Sequence, residues 1–248
     1  MKPAKLVIVT PAYQAARHLP ALLSRVHAVR FPATLQTELV GIVVVDDGSR
    51  DETFAVASAW AANHPLMRVH RRAQNGGYGA AMQDGLAAAR ALGATCVACV
   101  HADGQYSPEA LPGLLTAMAE RGLDLVQGSR IAGGQALAGG MPFYKYVGNA
   151  VLNRLENRAF GLAMTDYHSG YLIYGPRVLT EIPFERLSHS FDFDLEVIAS
   201  ARARGMAVGE APIPTHYGDE VSHLDPLAYG LRVLRVLWRY QRGHYGTP

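Results

Sequence analysis

The sequence predicts an α/β fold: an open, mostly parallel sheet with helices on both faces, followed by a C-terminal helical appendage. Three observations predict it. Short β-branched runs alternate with helical apolar spacings over the first 130 residues. One run, residues 40–45, is apolar throughout, as suits a strand covered on both faces of a parallel sheet. Four of the runs end in polar clusters, the arrangement expected where strands of an open sheet deliver side chains to one edge.

The elements follow in order. Residues 6–9 read as a strand that ends at Thr10-Pro11, and Leu19, Leu22, Leu23, Val26 and Val29 recur at helical spacing. The second strand, 40–45, stops at Asp46-Asp47-Gly48. Ser49 with Glu52 three residues on reads as a capping box for a helix to about residue 62. Residues 67–70 form a short strand, 79–92 an alanine-rich helix closed by Gly93, and 95–100 a fourth strand. Ser107-Pro108 opens a helix that Gly122 ends, and 125–127 is a strand running into Gly128. After Arg130 the pattern loosens into a Gly/Ala-rich loop at 131–143. Helices near 145–160 and 191–204, strands near 171–174 and 207–213, and a helix over 227–245 complete the chain. This gives one domain over 1–225 and a basic amphipathic helix over 226–248.

Composition removes several alternatives. The 248 residues carry 23 Lys+Arg against 21 Asp+Glu, a formal charge of +2, which argues against a nucleic-acid binder. Two cysteines cannot form a disulfide framework. They lie in a strand as Cys96 and Cys99, three apart and so on opposite faces, which excludes a shared metal. No apolar run is long enough to cross a bilayer and the first residues have no leader-like h-region. The expectation is a cytoplasmic protein, soluble or peripheral on the membrane face.

The segments that end the strands carry the chemistry. They are TPAY, VVVDDGSRDET, NGGYGAA, ADGQYSPE and QGSR, followed by YHSGYLIY and FDFDLE. In this order, over roughly residues 6 to 200, they resemble the family 2 glycosyltransferases of the GT-A fold, on the branch similar to dolichol-phosphate mannosyltransferases and polyprenyl-phosphate glucosyltransferases. The resemblance implies a Rossmann-like sheet, a nucleotide-sugar donor, a divalent metal (Mn or Mg) and an inverting transfer. It implies donor contacts from Pro11, Ala12, Tyr13, Asp46, Asp47, Asn75, Gly79 and Asp103.

Each residue type suits that chemistry. A carboxylate at Asp46 or Asp47 accepts a base N–H or a ribose hydroxyl, or else complements a helix N-terminus. Tyr13 packs on the base or closes the pocket. Asn75-Gly76-Gly77-Tyr78-Gly79 either lets backbone approach the nucleotide or is a plain turn. Asp103 and Gln105 offer oxygen ligands to a hard cation bridging a pyrophosphate. The family pattern has a further Asp two residues before; this chain has His101. Either His101 is a metal ligand that favours Mn²⁺, or Asp103 holds the metal with fewer protein ligands.

On the acceptor side, Asp166 is the candidate catalytic carboxylate, with Arg130 and Lys145 as phosphate-neutralising cations. A hydroxyl acceptor needs Asp166 as a general base; a phosphate acceptor, already anionic, needs it only to position groups. Asp192, Asp194 and Glu196 read as acids complementing a helix N-terminus. At 214–223 the comparison group's basic run is replaced by acids and two histidines, His216 and His223, which either complete a metal site or are solvated. Arg232, Arg235, Arg239 and Arg242 recur at spacings 3, 4 and 3 and so are expected along one face of the last helix, with Leu227, Leu231, Leu234, Val236, Leu237, Trp238 and Tyr240 filling much of the rest. That helix either meets an anionic membrane surface or docks on the domain or on a second subunit. The reading is a metal-dependent glycosyltransferase acting on a polyprenyl or dolichyl phosphate. The alternatives are transfer to a glycan or other hydroxyl, and a nucleotide-sugar binding protein without turnover.

Overall fold

In the computed structural model, residues 3–134, 140–214 and 226–246 are described, without the side chains of 144, 145, 226 and 227. Their core is one seven-stranded sheet, composed of β1 (Ala4–Ala12), β2 (Thr37–Asp46), β3 (Met67–Arg71), β4 (Cys96–Cys99), β5 (Leu125–Ser129), β6 (Leu172–Tyr174) and β7 (Val208–Pro212). The order is β3-β2-β1-β4-β6-β5-β7. All pairings are parallel except those of β6, which runs antiparallel to both β4 and β5. The chain steps outward from β1 to β3 and then returns to place β4 on the other side of β1. That reversal opens a crevice at the carboxyl ends of β1 and β4.

Among the described residues, eight helices surround the sheet: α1 (Leu19–Ala28), α2 (Thr53–Asn63), α3 (Tyr78–Ala91), α4 (Leu111–Glu120), α5 (Phe143–Phe160), α6 (Pro176–Glu181), α7 (Phe193–Ala203) and α8 (Pro226–Gln241). Alternation along the strands assigns them to faces. Leu6, Ile8, Ile42 and Val44 meet Leu19, Leu22, Leu23 of α1 and Leu111, Leu114 of α4. Val7, Val9, Val43 and Val45 meet Ala81, Met82 and Leu86 of α3, in one cluster with α7 and α8. Cys99 belongs to this second cluster and Cys96 to the first, so the two thiols do point apart.

Two helix starts differ from expectation. α2 begins at Thr53, and no side chain caps it. Ser49 is turned instead toward β1, where its hydroxyl accepts the Gln14 N–H at 2.9 Å. At Ser107 the chain first makes a 3-10 turn over Pro108–Ala110, and the hydroxyl donates to Glu109 rather than capping. In both places a partner outside the helix outcompetes the local cap.

The C-terminal helix forms as expected, and it is packed. Val233, Val236 and Leu237 are buried in the cluster shared with α7, and Tyr240 stands edge-on to Phe160 of α5 at 4.8 Å. Its outward face carries Leu231, Leu234, Arg235, Trp238 and Arg242. Arg232 and Arg239 instead flank α7 and pair with Asp192 (3.3 Å) and Glu196 (2.6 Å). The four arginines therefore do not share one free face, because 3.6-residue periodicity separates the two pairs by most of a right angle.

Candidate active site

The crevice is built from the turns that end the strands. At the end of β2, Gly48 takes a positive φ of 67° and packs against the backbone of Gln74 and Asn75, where a Cβ would collide. The Asp46 Oδ1 accepts the Ser49 N–H at 3.0 Å and closes this turn. Its Oδ2 is buried without a hydrogen-bond partner, with the Arg71 guanidinium 3.4 Å away. Asp46 Oδ2 thus has an ion-pair partner but no hydrogen-bond donor within the protein.

Asp47 does something else. Its two oxygens accept the N–H groups of Gly76 and Gly77, each at 2.9 Å, and it pairs with Arg72 at 2.9 Å. Burial raises its pKa, and the two amides and Arg72 only partly offset that. Asp47, expected to contact the donor, holds the Asn75–Gly79 turn in this structure. Gly79, expected to contact it too, is held in the same turn. Its N–H donates to the His189 carbonyl at 2.9 Å, and a Cβ there would strike Ser188 O. The amides of Gly76, Gly77 and Gly79 all have protein acceptors, which fix the shape of this glycine turn. Asn75 remains exposed at its edge.

The D-x-T pair of the same motif pins the chain after β1. Ala15 N–H donates to Thr53 Oγ1 (2.8 Å), Ala16 N–H to Asp51 Oδ2 (3.2 Å), and Asp47 N–H to Ala12 O (2.8 Å). Pro11 and Ala12 are buried by this strapping, while Tyr13 is 46% exposed at the mouth, free to pack on a base.

At the end of β4, Asp103 Oδ1 accepts the Gln105 N–H at 3.0 Å, a turn that leaves Asp103 and Gln105 half-buried beside each other. His101 lies between Tyr78 and Tyr106, with ring centroids at 5.1 and 5.2 Å. Its Nε2 donates to Gly170 O at 3.1 Å. Gly170 is obligatory because a Cβ would enter the imidazole. Burial lowers the His101 pKa more than Asp103 raises it, so the ring is neutral at pH 7 and Nδ1 carries the lone pair. Among the described residues no group of three or more His, Cys, Asp and Glu forms a metal cluster. His216 and His223 lie outside the described residues.

Asp166 is fully buried and held by Arg130, whose Nε and second guanidinium nitrogen donate to its two oxygens at 2.8 and 3.0 Å. Arg130 N–H and His168 N–H donate to the same carboxylate. Burial alone would raise the Asp166 pKa, but the Arg130 charge and hydrogen bonds, with His168, outweigh it and hold the carboxyl below its usual range. Lys145 lies on α5, with its side chain outside the description.

Three acids near this pair were not singled out as site residues from the sequence. Glu210 of β7 accepts the Thr165 and Asp166 N–H groups. Glu156 of α5 is fully buried, 3.3 Å from His168 Nε2. Asp194, read as a helix-dipole acid, does lie in the first turn of α7; it is also buried and accepts the Tyr78 hydroxyl at 2.8 Å, and burial pushes its pKa up to about 7. Only the FDFD segment hinted at Asp194. Glu210 is a lone acid in a strand and carries no sequence signal.

With this geometry in view, the comparisons are decisive. The model of "Glycosyl transferase family 2" matches residues 7–182. The chain belongs to glycosyltransferase family 2. Within the family it is 31% identical over 211 residues to the polyprenol monophosphomannose synthase of Mycolicibacterium smegmatis, covering 84% of this chain and 76% of that one. It is 29% identical to the undecaprenyl-phosphate mannosyltransferase of Micrococcus luteus, covering 84% and 82%. Among solved structures, glucosyl-3-phosphoglycerate synthase of Mycobacterium tuberculosis, with Mn²⁺, UDP and phosphoglyceric acid, superposes with a TM-score of 0.69 at 17% identity, over 99% of this chain and 80% of that one. This family 2 glycosyltransferase thus has the expected GT-A fold.

Proposed function

We propose that this glycosyltransferase moves a sugar from a nucleoside-diphosphate sugar to a polyprenyl or dolichyl phosphate, with inversion at the anomeric carbon. The carrying observation is the state of Asp166. A carboxylate held ionised by a two-pronged arginine is a poor proton acceptor. A hydroxyl acceptor needs a base; a lipid monophosphate, with a second pKa of about 6, does not. The names of the two curated relatives support the same acceptor class.

Asp46 and Tyr13 recognise the nucleoside, and Arg130, oriented by Asp166, neutralises phosphate charge. The donor set at the end of β4 fits a divalent cation shared with a diphosphate rather than a protein-only cage. Asp103 supplies a carboxylate, Gln105 an amide, and His101 a neutral Nδ1. Such an ion, when bound, stabilises the charge of the departing nucleoside diphosphate. Solved neighbours that hold Mn²⁺ support that ion here. A lipid-phosphate acceptor requires the crevice to work at a membrane surface, peripherally, since no helix among the described residues is long and apolar enough to cross one.

The test measures nucleoside diphosphate released from donor with a polyprenyl phosphate, the corresponding polyprenol, or an oligosaccharide. Release with the phosphate alone is expected; release with the hydroxyl acceptors alone overturns the assignment, and binding without release under Mn²⁺ leaves a binding protein. In the same assay Asp103→Ala should lose more than about tenfold in rate, or about 1.4 kcal/mol of barrier, together with metal-dependent donor binding.

A further inference from the structure

A cavity lies between α7, α8 and the turn at 186–188, behind the Asn75–Gly79 turn that Ser188 and His189 contact. It has a volume of about 500 Å³ and is lined by Arg186, Arg232, Arg235 and Arg239 with Asp192 and Glu196. The carboxylates are buried at its floor. Each holds one arginine: Asp192 pairs with Arg232 and Glu196 with Arg239. Glu196 also accepts the Tyr245 hydroxyl and the Ser188 N–H, both at 2.6 Å, which fixes the floor. Arg186 and Arg235 are exposed and have no ion-pair partner among the described residues. The pocket thus carries a net charge near +2 on a rigid base.

Its surroundings point to one kind of anion. Leu231 is 70% exposed, and Leu234 and Trp238 are about half exposed, on the outward face of α8 beside Arg235. Arg242 extends the same face and lies over the Trp238 ring at 4.5 Å. A soluble phosphate has no use for that apolar stripe. A phospholipid has use for both parts, because its phosphate meets guanidinium groups while the acyl boundary takes leucine and tryptophan.

We propose that this pocket is a headgroup site for anionic phospholipid, with Arg186 and Arg235 holding the phosphate and Leu231, Leu234 and Trp238 entering the boundary. Its lining includes neither Asp103 nor the Arg130–Asp166 pair, and it rests on the proposed function only for the presence of a membrane. It differs from a general attraction of the basic helix, since Arg186 comes from another element and Arg232 and Arg239 serve the floor.

The experiment sediments the full chain with vesicles of phosphatidylcholine alone, or of equal parts phosphatidylcholine and phosphatidylglycerol, and titrates a nucleotide-sugar in parallel. Wild type should prefer the anionic vesicles. Arg186→Gln with Arg235→Gln should weaken that binding roughly thirtyfold, from two lost charges at the surface, and leave nucleotide-sugar binding unchanged. Arg186→Lys with Arg235→Lys should restore it, and Trp238→Gln should weaken binding to both vesicle types. Equal sedimentation of wild type and the glutamine variant overturns the site, as does a lysine variant as weak as the glutamine one. A wild type indifferent to phosphatidylglycerol but stabilised against heat by pyrophosphate through these two arginines identifies a soluble-anion pocket and overturns the lipid assignment. Loss of transfer with vesicle binding intact counts against the proposed function, not against this pocket.

Discussion

The two sides of the crevice are built in different ways. On the side of β1 and β2, carboxylates and hydroxyls hold backbone amides: Asp46 takes the Ser49 N–H, Asp47 those of Gly76 and Gly77, and Thr53 that of Ala15. On the side of β5 and β7, a buried ion pair stands at the centre: Arg130 pairs with Asp166, and Glu210 takes the Asp166 N–H. The second arrangement buries carboxylates that must find their partners. The contrast teaches where this enzyme keeps its charge sensitivity. The donor side holds shape through side chains that accept backbone N–H groups, and the acceptor side holds ionised groups in place through an ion pair.

Breaking the acceptor side should have the largest effect. Asp166→Ala leaves Arg130 with its charge largely buried and removes the acceptor for two backbone amides. A loss of about 2–4 kcal/mol of stability is expected, along with loss of transfer. Urea unfolding followed by intrinsic fluorescence measures the first. Asp103→Ala provides the contrast, since its turn is half-exposed and its stability should change by less than about 0.5 kcal/mol. Similar destabilisation by both would erase the distinction between the two sides.

Breaking the donor side should cost less. Asp47→Ala frees the Gly76 and Gly77 amides and the Arg72 partner. These groups can reach solvent at the edge of the turn, so a loss of about 1–3 kcal/mol is expected. Asp47→Asn should recover part of it by keeping one acceptor. Donor affinity should fall in parallel with stability, because the turn supports the crevice without facing the nucleotide. An Asp47→Ala protein of unchanged stability and lost donor binding would return Asp47 to direct recognition.

Asp194 sharpens the comparison through pH. It faces the hydroxyls of Tyr78 and Tyr174 and lies near the buried Cys99 thiol. Burial raises its pKa in the folded protein to about 7, above its value in the unfolded chain. The folded state then binds the proton more tightly, so this group's contribution is fully present below about pH 4 and is lost as pH rises through about 7. Asp194→Asn should flatten that slope and make the protein more stable than wild type at pH 8, on the order of 1–3 kcal/mol. Parallel stability curves for the two proteins across this range would place Asp194 in a solvated, ordinary state.

The same distinction explains what the sequence shows. DDGSRDET is legible because its acids, glycine and hydroxyls follow an apolar run in one short segment, and β-branched runs such as 40–45 announce strands covered on both faces. The parallel strands of the donor side follow from the strand–helix alternation. The antiparallel insertion of β6 does not, since nothing in LIY specifies direction. Asp47 and Gly79 looked like ligand contacts because their residue types suit a nucleotide. The groups that claim them, Gly76 and Gly77 N–H and His189 O, are visible only in three dimensions. Glu156 shows the limit most plainly. It sits in a helix with an unremarkable polar pattern, yet is fully buried against His168, whose other nitrogen meets Tyr229 of α8 at 3.1 Å.

The smallest expected effect is at His101, and it tests the one position where the chain departs from the pattern it resembles. The Nε2 proton is committed to Gly170 O, so only Nδ1 can approach a cation. A neutral nitrogen suits Mn²⁺ better than Mg²⁺, whereas a carboxylate oxygen suits both. His101→Asp should therefore retain transfer and raise activity with Mg²⁺ relative to Mn²⁺, within about tenfold of wild type. The imidazole also fills the gap between Tyr78 and Tyr106, so a stability loss of about 1–2 kcal/mol is expected on separate grounds. His101→Asn controls for that loss, because it opens the same gap without a carboxylate. A metal preference that moves in the Asp variant and not in the Asn variant makes the side chain at 101 a ligand. If both variants are folded and active with the preference of wild type, His101 is a spacer that orients Gly170, and Asp103 alone among the charged residues of this turn faces the cation.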